Sequence, residues 1–173
     1  MSGMIGLPAR NEAAPYYFTY IDRIKNPDIL AELESQLGET LEFLRAISED
    51  NSLHRYAPEK WSIRQVWNHV NDTERAFTFR ALWFARGFDS PLPSYDQNVS
   101  SRAANADDYS WASHLDEFRT VRLATLTLFR NMPDEAWSRT GIASNNSFTV
   151  RALAYIIAGH AAHHKSILQT FYL

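Results

Sequence analysis

An all-α fold, an antiparallel four-helix bundle with long connections, is what this sequence predicts. Three observations carry that expectation. Apolar residues recur at three- and four-residue intervals in four stretches, turn and capping residues separate those stretches, and no long segment alternates as a half-buried strand does. The 173 residues, 45% hydrophobic and 13% aromatic, suffice for one domain with a substantial core and are too few to suggest two.

Residues 1–25 read as a loose N-terminal arm, with Gly3, Gly6, Pro8 and Pro15 ahead of an aromatic cluster, Tyr16, Tyr17, Phe18 and Tyr20, through which it packs down. Residues 26–173 form the bundle. Asn26-Pro27 reads as a cap followed by proline at the first helical position. Leu30, Leu33, Leu37, Leu41, Leu44 and Ile47 then make the stripe of a first helix ending near Asp50. Ser62-Ile63-Arg64-Gln65 is a capping box, and Ile63, Val66, Trp67, Val70, Phe77, Ala81 and Phe84 continue a second helix to about Arg86 before Gly87.

From Gly87 to about Asp108 runs a polar connection with Pro91, Pro93 and Tyr95-Asp96-Gln97-Asn98, long enough to be functional and expected to cover one end of the bundle. A third helix spans about Ser110 to Asn131, with Trp111, Leu115, Phe118, Leu126 and Phe129 inward, and Met132-Pro133 stops it. The segment from Asp134 to Ser147 holds Trp137, Gly141 and Asn145-Asn146-Ser147. Thr149 then caps a fourth helix.

That fourth helix carries the chemistry. Its apolar stripe, Val150, Leu153, Ala154, Ile157, Ala161, Ile167, Leu168 and Phe171, takes in His160 and His164, whereas His163 falls on the flank. Two imidazoles one turn apart lie side by side and reach one ion, although packed core histidines are the common alternative and a third ligand is needed to decide. His69 lies at the edge of the second helix's stripe, where a side chain meets a neighbouring helix along the seam. His54 and His114 lack a partner at useful spacing and read as surface residues. Glu74 and Arg122 fall inside their stripes. A lone buried charge is costly, so they are expected to pair across the interface, either as a register-fixing ion pair or with Glu74 also orienting a ligand histidine.

Net charge is −3 with no basic run, which excludes the electrostatic footprint of a nucleic-acid binder. No apolar run approaches membrane-spanning length and no signal peptide is visible, so a cytoplasmic protein is expected. The absence of cysteine removes disulfides, thiolate metal sites and a cysteine nucleophile together. Trp83 on the second helix is a candidate face for a homodimer.

The run Lys60-Trp61-Ser62-Ile63-Arg64-Gln65-Val66-Trp67-Asn68-His69 resembles the start of the second helix in the DinB/YfiT-like superfamily of metalloenzymes. Phe148-Thr149-Val150-Arg151, followed by His160-Ala161-Ala162-His163-His164, is similar to that family's ending, and Tyr95-Asp96-Gln97 looks like a segment common between them. The resemblance extends from roughly Asp28 to Leu168. It implies a four-helix bundle holding a divalent metal on one histidine of the second helix and two of the fourth, which here are His69, His160 and His164. His163 is the alternative ligand on the fourth helix.

Zinc, nickel and iron all suit such ligands, as does copper. Three neutral imidazoles leave an open coordination position, the pattern of a catalytic site. The glutamate that follows the first histidine of the metalloprotease helix is replaced by Ala161, so the chain is not a zincin. The resemblance implies metal-assisted chemistry with a low-molecular-weight thiol, and the expectation is a metal-dependent enzyme acting on a small molecule by thiol transfer or hydrolysis; a non-enzymatic metal-binding or stress-associated bundle is the alternative. Asp72, Tyr95 and Asp96 are the polar candidates near the metal.

Overall fold

A computed structural model describes residues 5–173. Residues 1–4, Gly3 among them, lie outside the described residues. The bundle is built from α2 (Ile29–Arg45), α3 (Ile63–Ala85), α5 (Trp111–Arg130) and α6 (Val150–Ile167), with two short helices, α1 (Phe18–Ile21) and α4 (Gln97–Ala104). The four expected helices are present, and capping explains where each begins. Asp28, rather than Asn26, caps α2: its carboxylate accepts from Ala31 N at 3.1 Å, while Asn26 only braces the preceding turn. Ser62 and Gln65 form the capping box of α3, Ser110 caps α5, and Thr149 caps α6.

Around the bundle the neighbours are α2–α5, α5–α3, α3–α6 and α6–α2, which leaves α2 and α3, and α5 and α6, across the diagonals. Contact pairs give the directions. Asn71 meets His114 and Glu117, Glu74 meets Arg122 and Thr78 meets Thr125, so α3 and α5 run the same way. Val66 shares a cleft wall with His164 and Ile167 while His69 meets His160, so α3 and α6 run opposite ways. The helices therefore run up, down, down and up in chain order.

Two consecutive parallel helices require a connection that returns the full length of the bundle. Residues 86–110 do this along the flank of α3, with Pro93 beside Arg80, Ser100 bonded to Asp72 and Asp107 bonded to Ser62. The expectation that this connection covers one end of the bundle is thus corrected: it is a side wall, and α4 lies within it.

A small antiparallel hairpin, β1 (Thr140–Ala143) and β2 (Asn146–Thr149), precedes α6. Ser144 and Asn145 turn it with positive φ, and four-residue strands are too short to display alternation in the sequence. Leu92 of the long connection adds to its edge.

From residue 5 onward the arm is docked rather than loose. Phe18, Ile21 and Ile24 are buried, Glu12 pairs with Arg151 and accepts from Thr149, and the Tyr155 hydroxyl donates to Asn26 O at 2.9 Å. At Gly159 a Cβ would stand 2.1 Å from Tyr20 O, so only glycine lets α1 lie this close to α6.

The expected ion pair spans the core. Arg122, fully buried, donates Nε and Nη2 to the two Glu74 oxygens at 2.9 Å each, and its Nη1 reaches Gln36 Oε1 at 2.8 Å. Gln36 Nε2 in turn donates to Ala158 O at 2.8 Å. One polar chain thereby ties α3, α5, α2 and α6 together two residues before His160.

Candidate metal centre

α3 and α6 bring His69, His160 and His164 to one point. The Nε2 atoms of His69 and His160 are 3.1 Å apart, as are those of His160 and His164, and one ligand atom from each of the three lies within 4.8 Å of the others. His69 and His160 are buried and His164 is half-buried. Trp61 packs against His69 at a tilt of 54° with centroids 5.3 Å apart, and its carbonyl accepts from the Tyr172 hydroxyl at 2.8 Å. Tyr20 closes the other side, its ring 5.3 Å from His160.

Burial keeps all three rings neutral at neutral pH. It pulls His69 down to about 4 and, with the charges of His69, His163 and Arg23, pulls His164 down to about 3. His160 is pushed well below its ordinary value, first by burial and then by the other histidines.

This donor set fits a divalent ion. Ring nitrogens ligating at ~2.1 Å stand ~3.0 Å apart in octahedral and ~3.4 Å apart in tetrahedral geometry, and the observed 3.1 Å falls in that range. Protons alone satisfy the arrangement poorly. A neutral Nε2 carries either one hydrogen or one lone pair, so His160 Nε2 cannot satisfy both neighbours. His69 Nδ1 lies 3.3 Å from Thr73 Oγ1, the outer hydrogen bond that orients a ligating ring, while His164 Nδ1 is buried without a protein partner among the described residues.

Other candidates fall elsewhere. His163 lies outside the group, edge-on to Tyr20 at 5.5 Å. His54 is exposed as expected, but His114 is buried, correcting its surface reading: the turn at residues 105–109 covers the start of α5, and His114 Nε2 donates to Ala106 O at 2.8 Å. Glu74 is consumed by Arg122 and forms no hydrogen bond with a histidine among the described residues. Asp72 accepts from Asn68 and Ser100 on another flank of α3, and Asp96 caps α4. Of the three polar candidates only Tyr95 reaches the histidines' cleft. Trp83 stacks on Phe88 and donates to Ser90 O within its own chain.

The cluster divides two clefts. One, about 230 Å³, has His69 and His160 in its wall together with Tyr16, Tyr17, Tyr20 and Tyr95; the other, about 240 Å³, has His164 beside Trp61, Glu59 and Lys60. A larger cleft of about 670 Å³ along Asp72, Arg75 and Glu117 contains none of the three histidines, and its Arg75 is already paired with Glu117. Sequence reasoning missed Thr73 and Arg80, yet both share a face of α3 with His69, four and eleven residues on. It also missed Tyr16, Tyr17 and Tyr20, read only as packing residues of the arm.

A four-helix bundle with a convergent three-histidine group in a seam is the class of protein this architecture defines. The model of the DinB superfamily matches residues 32–168, and the chain belongs to that superfamily. Among solved structures, it is similar to YfiT from Bacillus subtilis, described as a probable metal-dependent hydrolase with an unusual four-helix bundle topology. The TM-score is 0.73 at 17% identity, over 86% of this chain and 87% of that one, a likeness of fold. No curated protein matches the chain in sequence.

Proposed function

We propose that this protein is a metal-dependent enzyme acting on a small molecule, with His69, His160 and His164 as the ligands of a divalent ion. The observation that carries the reading is the convergence of three neutral ring nitrogens from two helices at the wall of an open cleft. A divalent ion there supplies Lewis acidity, which acidifies a water or thiol and polarises a carbonyl. The chain's residues do the rest: Thr73 and Trp61 hold His69 in its ligating orientation, and Tyr20 shields His160 from solvent.

Hydrolysis and transfer of a low-molecular-weight thiol both suit this arrangement, since each uses an acidified nucleophile. Among the described residues no aspartate, glutamate or cysteine lines the 230 Å³ cleft, which leaves a water, or a thiol carried by the ligand, as the nucleophile that the ion would acidify. The likeness to a protein described as a metal-dependent hydrolase supports the hydrolytic branch by analogy.

The test is metal analysis of untagged protein beside His69→Ala, followed by assay of the loaded protein against esters, amides, and thiols paired with electrophiles. About one equivalent of metal, lost in the variant, with turnover on one of these classes, is the expected result. Absence of binding on addition of zinc or nickel overturns the reading.

A further inference from the structure

Arg80 is 6% exposed and has no aspartate or glutamate within ion-pair distance among the described residues. Its hydrogen bonds go to neutral groups, Ser144 Oγ at 2.9 Å, Pro93 O at 3.4 Å and the Tyr17 hydroxyl, and its guanidinium lies 5.2 Å from the Phe77 ring centroid. This chain treats comparable arginines differently. Arg122 is forked onto Glu74, and Arg64 pairs with Glu49 through Nη2. A desolvated guanidinium without a counter-ion is costly, and fixed, planar donors of this kind are suited to a carboxylate or phosphate.

Its position supplies the purpose. His69, Thr73, Ala76, Phe77 and Arg80 form one wall of the 230 Å³ cleft, with Tyr17, Tyr95 and Ser144 among the facing residues. Among the described residues Arg80 is the one formally charged side chain lining it, and no carboxylate does. Eleven residues of α3 put the Cα atoms of His69 and Arg80 ~16 Å apart along the axis, with their side chains bordering the same cleft between. A divalent ion on neutral imidazoles would add further positive charge with nothing acidic in the lining to balance it.

We infer that the cleft receives a small anionic molecule, whose carboxylate or phosphate group is held by Arg80 while its other end faces the histidines. The second half of this statement rests on the proposed metal centre; the anion site at Arg80 does not. Arg80 is then a specificity-determining residue, and Ser144, Pro93 and Tyr17 are what hold its fork in place.

The experiment measures binding of inorganic phosphate and of straight-chain dicarboxylates, succinate to suberate, by calorimetry. Metal-free and zinc-loaded wild type are compared with Arg80→Gln and Arg80→Lys, and zinc affinity is measured separately by chelator competition. In metal-free wild type, anion binding is expected to shift the Arg80 Nε–H resonance, a readout that does not depend on a variant folding. Arg80→Gln is expected to weaken binding ~10-fold or more, with Arg80→Lys recovering only part because it lacks the planar fork. The ratio of phosphate to carboxylate affinity identifies the anion. On the zinc-loaded protein, a dicarboxylate of matching length is expected to bind ~10-fold more tightly than its monomethyl ester. An unmoved Arg80 resonance, with anion affinities equal in wild type and Arg80→Gln, overturns the anion site whether or not zinc binds. Failure of zinc to bind, with the Arg80-dependent anion site intact, overturns the metal reading and the two-ended placement alone.

Discussion

His69 and His160 are 91 residues apart in the chain, yet their Nε2 atoms approach to 3.1 Å across the antiparallel seam of α3 and α6. His164, one turn further along α6, approaches His160 equally closely. Two helices thus present three ring nitrogens without help from a loop, the kind of rigid mounting that a site of closely held geometry needs.

His69→Ala, His160→Ala and His164→Ala are each expected to lower zinc affinity by at least ~100-fold, while His163→Ala changes it by less than ~3-fold. Competition against a chromophoric chelator measures this. An equal loss in His163→Ala would mean that the wrong pair of α6 has been assigned.

Thr73→Val removes the oxygen 3.3 Å from His69 Nδ1 while keeping the side chain's shape. Loss of such an outer partner is expected to cost ~10–100-fold in metal affinity with little change in stability. The same titration, paired with a thermal melt, separates the two effects.

The metal-free protein should lose stability in acid. Unfolded, His69 and His164 titrate near 6.5; folded, burial holds them at about 4 and about 3. Between these values the unfolded chain binds more protons, so their contribution is full above pH 6.5, falls as the pH drops through the window, and levels off below about 3. The loss is on the order of several kcal/mol. Urea midpoints taken across this range test it, and a midpoint that stays flat from neutral pH to about 4.5 contradicts the burial of these rings.

Arg122→Met strands the Glu74 carboxylate in the core and is expected to cost ~3–5 kcal/mol in urea unfolding. The double variant with Glu74→Leu should be less destabilised than the sum of the two single changes, since it removes the stranded charge. Additive losses would show that the fork contributes nothing beyond its separate parts.

Gly159→Ala places a methyl group where Tyr20 O stands at 2.1 Å. Displacing α1 is expected to cost ~1–3 kcal/mol and to disturb the adjacent His160. Melting temperature and zinc affinity should fall together; a fall in the first alone would mean that α1 does not position the histidine.

Much of this was legible in sequence because it is local. The capping box at Ser62 and Gln65, the cap at Thr149, the inward placement of His160 and His164 and the burial of Glu74 with Arg122 all follow from helix periodicity and side-chain chemistry within a few residues. The hairpin at Thr140–Thr149 and the burial of His114 were not legible. Four-residue strands carry too little pattern, and His114 is covered by a turn whose path its own helix does not specify.

Only the tertiary structure decided that α3 and α5 run parallel, that residues 86–110 return along α3, and that Ser144 and Tyr17 join Arg80 beside His69. Periodicity tells a helix which face to bury, but the same face packs in either direction against several neighbours. The choice among them follows from the joint packing of all four helices and the polar chain through Arg122, Glu74 and Gln36, a property of the folded whole.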